Sequence, residues 1–136
     1  LDVKLDFESV ALAGSMLGSG GVTVMEEGTD MVWAALRLME FFYHESCGKC
    51  SPCREGSSWL VQIMRRIVNK RGQMADLETL TDLCKNIAGR TVCAFGDAEV
   101  SPILSTLKHW RHEYVAMIHA AEAANLIRPE PAGAKH

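Results

Sequence analysis

The apolar positions of this chain follow two different periods, and the change falls near residue 29. Before it, apolar side chains alternate from Val3 to Phe7, and a glycine-rich stretch leads into the β-rich run 22–25. Alternation is typical of strands, so we predict a short β segment over residues 1–28. Two or three such strands are only marginally stable alone, which indicates the end of a larger domain.

From residue 29 onward, apolar side chains recur at the spacing of an α-helix, and we predict four helices. The predicted helices cover approximately residues 30–43, 54–70, 75–88 and 101–118. Gly72 and Gly89 end the second and third helices, and Pro102 occupies the first helical position of the fourth. Short loops between such helices predict a mainly α, four-helix bundle-like domain over residues 29–125.

Composition narrows the class of protein. The 136 residues are 48% hydrophobic, which suffices for a core, and the net charge of −3 gives no general attraction to phosphate. The longest apolar stretch, 31–43, is broken by charges and is too short for a bilayer. We therefore predict neither a nucleic-acid partner nor direct membrane insertion.

Residues 126–136 carry no apolar period, and we expect them to form a disordered tail.

Three thiols at intervals of three carry the strongest chemical signal. Cys47, Cys50 and Cys53 lie in a run that also contains glycine and proline, between the first two predicted helices. The N-terminus lacks the order of a signal peptide, which favours a reducing compartment and thiols that act as ligands. Thiolates at this spacing can converge from one tight turn on an iron-sulfur cluster. A fourth thiolate must then come from elsewhere.

Two cysteines remain as the fourth ligand, and the helix pattern separates them. Cys84 continues an apolar stripe on the third predicted helix, where cysteine usually serves as a small buried hydrophobe. Cys93 follows the Gly89 helix stop and lies in a loop that is free to turn towards a cluster. In an up-and-down bundle this loop lies at the same end as the loop of three thiols. We therefore predict Cys93 as the fourth ligand.

Other metal and redox chemistry remains open at this point. Four thiolates also make a closed zinc site, so a structural zinc-binding interaction module is an alternative. Zinc sites usually take their thiolates as two separated pairs, and the spacing here favours a 4Fe-4S cluster. A Cys-x-x-Cys oxidoreductase would need neither Cys53 nor Cys93. Lys49 and Arg54 flank the thiols, and cations near a cluster favour its reduced form.

Two segments around these cysteines resemble a known family. Residues 45–56 and 89–97, with the glycine-rich stretch 13–21, are similar to the C-terminal region of the NADH-binding flavoprotein subunit of respiratory complex I. The resemblance extends from about Phe7 to Val115. The cysteines that match the family's cluster ligands are Cys47, Cys50, Cys53 and Cys93.

The resemblance implies a specific electron path. In that family NADH gives a hydride to FMN, and electrons leave through a 4Fe-4S cluster, other iron-sulfur subunits and finally quinone, in the peripheral arm on the cytoplasmic or mitochondrial matrix side. Residues 1–28 would be the end of a ubiquitin-like β-grasp domain. The flavin and NADH domain is absent from these residues, so the chain alone would be only an electron carrier. Soluble NAD-linked hydrogenases and formate dehydrogenases contain a similar module.

Overall fold

Residues 2–123 are described by a computed structural model, and within this range the chain forms six α-helices and no β-strand. The helices are α1 (Phe7–Leu12), α2 (Met31–Glu45), α3 (Ser51–Val68), α4 (Met74–Ile87), α5 (Phe95–His109) and α6 (Arg111–Ala123). The predicted mainly α class is confirmed. None of the described helices combines the length and apolar content that a membrane span requires.

Four of the helices form the bundle. Helix α2 packs against α3 and α5, and α4 packs against the same two helices, so the four close around one core. Asp30 begins α2 by accepting a hydrogen bond from the Trp33 amide at 2.8 Å. The core is built from one apolar stripe of each helix. Its fully buried members include Val32, Met39, Leu60, Met64, Ile67, Leu77, Leu80, Cys84 and Ile103.

The β segment predicted for residues 1–28 is wrong for the described residues 2–28. Asp6 accepts a hydrogen bond from the Ser9 amide and caps the short helix α1. The alternating residues that suggested a strand therefore lead into a helix. Val22 and Val24 lie in an irregular stretch and are 71% and 91% exposed. A strand needs a neighbour to pair with, and the described part of the chain supplies none here. The proposed domain boundaries themselves remain predictions.

The second predicted helix begins earlier than expected. Helix α3 starts at Ser51 rather than at residue 54, with Cys50 as its N-cap and Pro52 in its first turn. Proline is tolerated there because the first amides of a helix have no intrahelical acceptor. Cys53 therefore lies on the first turn of a helix instead of in the preceding loop, which fixes its direction.

The fourth predicted helix is wrong at both ends, because two helices occupy the region. Helix α5 begins at Phe95 and carries Pro102 in its interior, and the backbone breaks at Trp110 before α6 begins. The break turns α6 back onto the bundle, where Tyr114 is fully buried and its hydroxyl lies 2.7 Å from Thr106 Oγ1. The tail predicted for residues 126–136 lies outside the described residues.

Candidate metal centre

The four predicted ligands meet at one end of the bundle. The loop between α2 and α3 and the loop between α4 and α5 lie side by side there and enclose a cavity of about 140 Å³. Two loops that are far apart in sequence thus contribute to one site. The cavity is lined by Cys47, Cys50, Cys53 and Cys93, together with Glu45, Thr91, Phe95 and Gly96.

The first loop is shaped by a glycine and an arginine. Gly48 has φ +73°, a left-handed conformation that glycine adopts without strain, and its amide lies 3.3 Å from Ser46 Oγ. Arg54, on the first turn of α3, donates a hydrogen bond to the Gly48 carbonyl at 2.8 Å. This contact folds the loop back over α3. Cys50 and Cys53 consequently lie at the amino end of that helix, where the dipole favours anionic groups such as thiolates.

The second loop is held in place at three points. The Thr91 hydroxyl donates to the Cys93 carbonyl at 2.8 Å, and Asp97 accepts from the Gly89 amide at 2.7 Å. The Val92 amide points at Cys50 Sγ at 3.4 Å and links the two loops directly. An amide hydrogen bond to a ligand sulfur stabilises negative charge on that sulfur.

The four thiols differ strongly in their access to water. Cys47 and Cys93 are exposed, Cys50 is half-buried, and Cys53 is only 7% exposed. Burial raises the pKa of the Cys53 thiol, and the neighbouring Ser46 hydroxyl, 3.2 Å from the sulfur, acts in the opposite direction. Of its two polar partners only the Ser46 hydroxyl favours the thiolate form, because the nearby Glu99 carboxyl also raises this pKa.

One polar partner of Cys53 is not evident from the sequence pattern. Glu99 is fully buried on α5, and its Oε2 lies 3.3 Å from Cys53 Sγ. Burial raises the pKa of this carboxyl to about 7. Residues 90–100 are predicted as a loop, where an acidic residue is unremarkable. If the fourth predicted helix had begun at Phe95, Glu99 would have fallen on its apolar face and could have been recognised as a buried acid.

The fifth cysteine stays away from the cavity. Cys84 is fully buried in the core on α4, and it does not contribute to the cavity lining. Burial, followed by the charge of Glu99, raises the pKa of its thiol to about 12. A thiol in such surroundings behaves as an apolar side chain. This placement supports the choice of Cys93 as the fourth ligand over Cys84.

The residues present fit an iron-sulfur cluster by their chemistry. Four thiols around one cavity are the donor set of such a cluster. A cavity of about 140 Å³ also has room for more than one atom, since a water molecule in the liquid occupies about 30 Å³. Among residues 2–123, no three His, Cys, Asp or Glu side chains are grouped closely enough to hold a single metal ion.

Comparison with known proteins shows which family the helical part of the chain matches. Residues 33–117 match the family described as NADH-ubiquinone oxidoreductase-F iron-sulfur binding region. The second F subunit of NADH-quinone oxidoreductase in Rhizobium meliloti is 53% identical over 118 residues, covering 87% of this chain and 28% of that protein. The F subunit of the Streptomyces coelicolor oxidoreductase is 54% identical over 114 residues, covering 84% of this chain and 25% of that protein. The chain therefore spans about a quarter of these relatives.

A solved structure has a fold similar to that of this chain. A crystal structure of NAD+-reducing [NiFe]-hydrogenase in the H2-reduced state superposes with a TM-score of 0.67 at 26% sequence identity. The match covers 79% of this chain and 17% of the hydrogenase chain. The matching family binds a 4Fe-4S cluster, and FMN and NADH belong to its parent subunit. This chain belongs to the family of NADH-ubiquinone oxidoreductase-F iron-sulfur binding regions.

Proposed function

We propose that this chain is an electron-transfer module that carries one 4Fe-4S cluster. Its ligands are Cys47, Cys50, Cys53 and Cys93. The observation that carries the proposal is the convergence of these four thiols on one cavity. Three come from the α2–α3 loop and the first turn of α3, and the fourth comes from the α4–α5 loop, with 39 residues between Cys53 and Cys93. Cys84, the remaining cysteine, lies in the apolar core.

The residues around the cavity have distinct tasks in this proposal. When bound, the cluster supplies one-electron oxidation and reduction. The amino end of α3 favours thiolate charge on Cys50 and Cys53, and the Val92 amide also donates to Cys50 Sγ. Phe95 lines the cavity and packs edge to face against Phe42, with ring centroids 5.4 Å apart, and this pair keeps water from the inner side of the site.

The proposed electron path places the chain inside a larger assembly. Electrons enter from FMN after NADH oxidation and leave along an iron-sulfur chain towards quinone. FMN and NADH would be bound by the flavin part of the same or a partner chain, and other iron-sulfur subunits would be the acceptors. Names of the relatives support this direction, since they are NADH-quinone oxidoreductase subunits. The site of action would be the peripheral arm of that complex, on the cytoplasmic or mitochondrial matrix side.

A second parent assembly has its own supporting observation. The fold match to NAD+-reducing [NiFe]-hydrogenase favours a module in a soluble NAD-linked hydrogenase. NAD-linked formate dehydrogenase is the related alternative. The two assemblies differ in the reaction they catalyse. Purification of the complex that contains this chain from its source cells, followed by assays of NADH-dependent quinone reduction and of hydrogen- or formate-dependent NAD+ reduction, separates them.

Anaerobic reconstitution with iron and sulfide tests the ligand set. We expect a brown protein whose broad visible absorbance bleaches with dithionite and which then gives an electron paramagnetic resonance signal. Cys93→Ala should lose the signal, and Cys84→Ala is the matched control that should keep it. A signal that survives Cys93→Ala and disappears in Cys84→Ala contradicts the proposed ligands. A colourless protein with stoichiometric zinc would instead support the structural zinc module.

A further inference from the structure

One serine hydroxyl contacts both the loop of three thiols and the most buried of those thiols. Ser46 is the C-cap of α2, and its amide donates to the Phe42 carbonyl at 3.0 Å, which fixes its backbone on the helix. Its Oγ lies 3.3 Å from the Gly48 amide nitrogen and 3.2 Å from Cys53 Sγ. The hydroxyl therefore links the end of α2, the loop and the first turn of α3.

The chemistry of the partners gives the direction of both contacts. An amide N–H can only donate, so Ser46 Oγ is the acceptor in the contact with Gly48. A thiolate that binds iron has no proton, so Ser46 is the donor in the contact with Cys53 when a cluster is bound. A hydroxyl has one proton and two lone pairs, which allows both contacts at once. Accepting the amide bond also polarises the hydroxyl and strengthens its donation.

Cys53 is the proposed ligand for which such a donor matters most. It is only 7% exposed, so water has little access to its sulfur, whereas Cys47 and Cys93 are exposed. Glu99 approaches the same sulfur at 3.3 Å, but a carboxyl group has a proton to donate only when it is not ionised. The Ser46 hydroxyl carries its proton whatever the state of its neighbours.

We propose that Ser46 is a positioning residue for the 4Fe-4S cluster. Its hydroxyl donates to Cys53 Sγ, holds this ligand in place and raises the reduction potential of the cluster. This role rests on the proposed function, because it needs a cluster bound to Cys53. A hydrogen bond to a ligand sulfur offsets negative charge there, and reduction adds one negative charge to the cluster. The reduced state therefore gains more from the bond than the oxidised state does.

Two substitutions at position 46 separate the hydroxyl from the backbone. Ser46→Ala removes the hydroxyl and keeps the amide bond to the Phe42 carbonyl, whereas Ser46→Thr keeps both. The full chain is reconstituted anaerobically, and the midpoint potential is measured by a redox titration followed by electron paramagnetic resonance. Iron release to a chelator is timed on the same samples.

We expect Ser46→Ala to lower the midpoint potential and to release iron about 10-fold faster than the unmodified chain, since loss of a group that orients a ligand weakens metal binding. Ser46→Thr should keep both values near those of the unmodified chain. Ser46→Ala should fold, because the residue lies outside the apolar core, and circular dichroism of the cluster-free chain checks this.

The matched control removes a serine hydroxyl far from the cavity. Ser105 is exposed on α5, and its hydroxyl donates to the Pro102 carbonyl at 3.2 Å. About 15 Å of helix separates it from Phe95, which lines the cavity. Ser105→Ala should leave the potential and the iron release rate unchanged, which shows that the loss of any serine hydroxyl does not imitate the effect.

Three results would overturn the inference. A midpoint potential for Ser46→Ala equal to that of the unmodified chain would show that the hydroxyl does not act on the charge of the cluster. Equal losses in Ser46→Ala and Ser46→Thr would show that the hydroxyl is not the cause. An unmodified chain that takes up no iron would overturn the proposed function, and with it this role of Ser46, before any variant is compared.

Discussion

At the scale of single residues, the packing of Gly96 affects the position of the proposed ligand Cys93. It is buried in the first turn of α5, against the side chain of Thr91 in the loop that carries Cys93. A Cβ atom at this position would lie 2.4 Å from Thr91 Oγ1 and 2.6 Å from its Cγ2. No side chain other than hydrogen fits without displacing Thr91, which also donates to the Cys93 carbonyl.

Gly96→Ala is therefore expected to shift the Cys93 loop. Overpacking of this kind costs about 1–3 kcal/mol, and here the displaced segment holds a proposed ligand. We expect the reconstituted variant to contain less iron per chain than the unmodified protein, measured by iron analysis and visible absorbance. Gly21→Ala is the matched control, because no atom lies within 4 Å of the position that its Cβ would take, and its φ needs no glycine. Full iron content in Gly96→Ala would contradict the expected displacement.

At the scale of helices, the break at Trp110 explains how α6 joins the bundle. A continuous helix from α5 would carry Tyr114 away from the core, whereas the break returns it to Thr106, eight residues earlier. The Tyr114 hydroxyl is buried, and burial raises its pKa to about 12. A buried hydroxyl needs a partner, and Thr106 Oγ1 supplies one at 2.7 Å.

Tyr114→Phe tests this connection between α5 and α6. We expect the free energy of unfolding to fall by about 0.5–1.5 kcal/mol, the net value of one hydrogen bond, since the ring itself remains packed. Urea unfolding followed by circular dichroism measures the change. Tyr43→Phe is the control on an exposed tyrosine and should change stability little. In a Thr106→Val background, Tyr114→Phe should lose most of its effect. An undiminished effect there would exclude the Thr106 contact as its cause.

Comparison of the predicted helices with α2 to α5 shows which parts of the fold the sequence predicts. Apolar period identified α2, α3 and α4 and indicated the core faces, because each stripe is buried against its neighbours. It misplaced the start of α5, because Pro102 was assigned to the first helical position and residues 90–100, which include Gly96, were assigned to a loop. Gly96 is required by the approach of Thr91, and Pro102 is accommodated within the helix. Neither fact is local in sequence, so neither could be read from it.

The sequence predicts the four thiols that line the cavity but not their buried neighbour Glu99. Regular spacing identified three thiols, and helix phase favoured Cys93 over Cys84; the structure brings the four selected thiols around one cavity. Glu99 escaped notice because its significance depends on the true start of α5 and on its distance from Cys53. The strands predicted in the first 28 residues were wrong for the described residues 2–28, because alternation indicates a strand only where a neighbour can pair with it.

At the scale of the whole molecule, the bundle core and the proposed cluster site adjoin but are built from different residues. The core cluster runs through α2 to α6 and includes Met39, Met64 and Ile103, but none of the four proposed ligands. Cys47 and Cys93 are exposed on loops, and the contacts that shape those loops are hydrogen bonds rather than apolar packing. The helices therefore have their own source of stability.

Removal of the cluster should consequently loosen the two loops and leave the helices formed. After treatment with a chelator and a reductant, we expect helical circular dichroism to be retained and amide hydrogen exchange to rise in residues 46–50 and 88–94. The melting temperature should fall, because a cluster that binds only the folded chain stabilises it. Cys93→Ala, prepared without a cluster, is the control and should melt like the chelated chain. Cooperative loss of the helical signal on chelation would mean that the cluster, and not the apolar core, holds the bundle together.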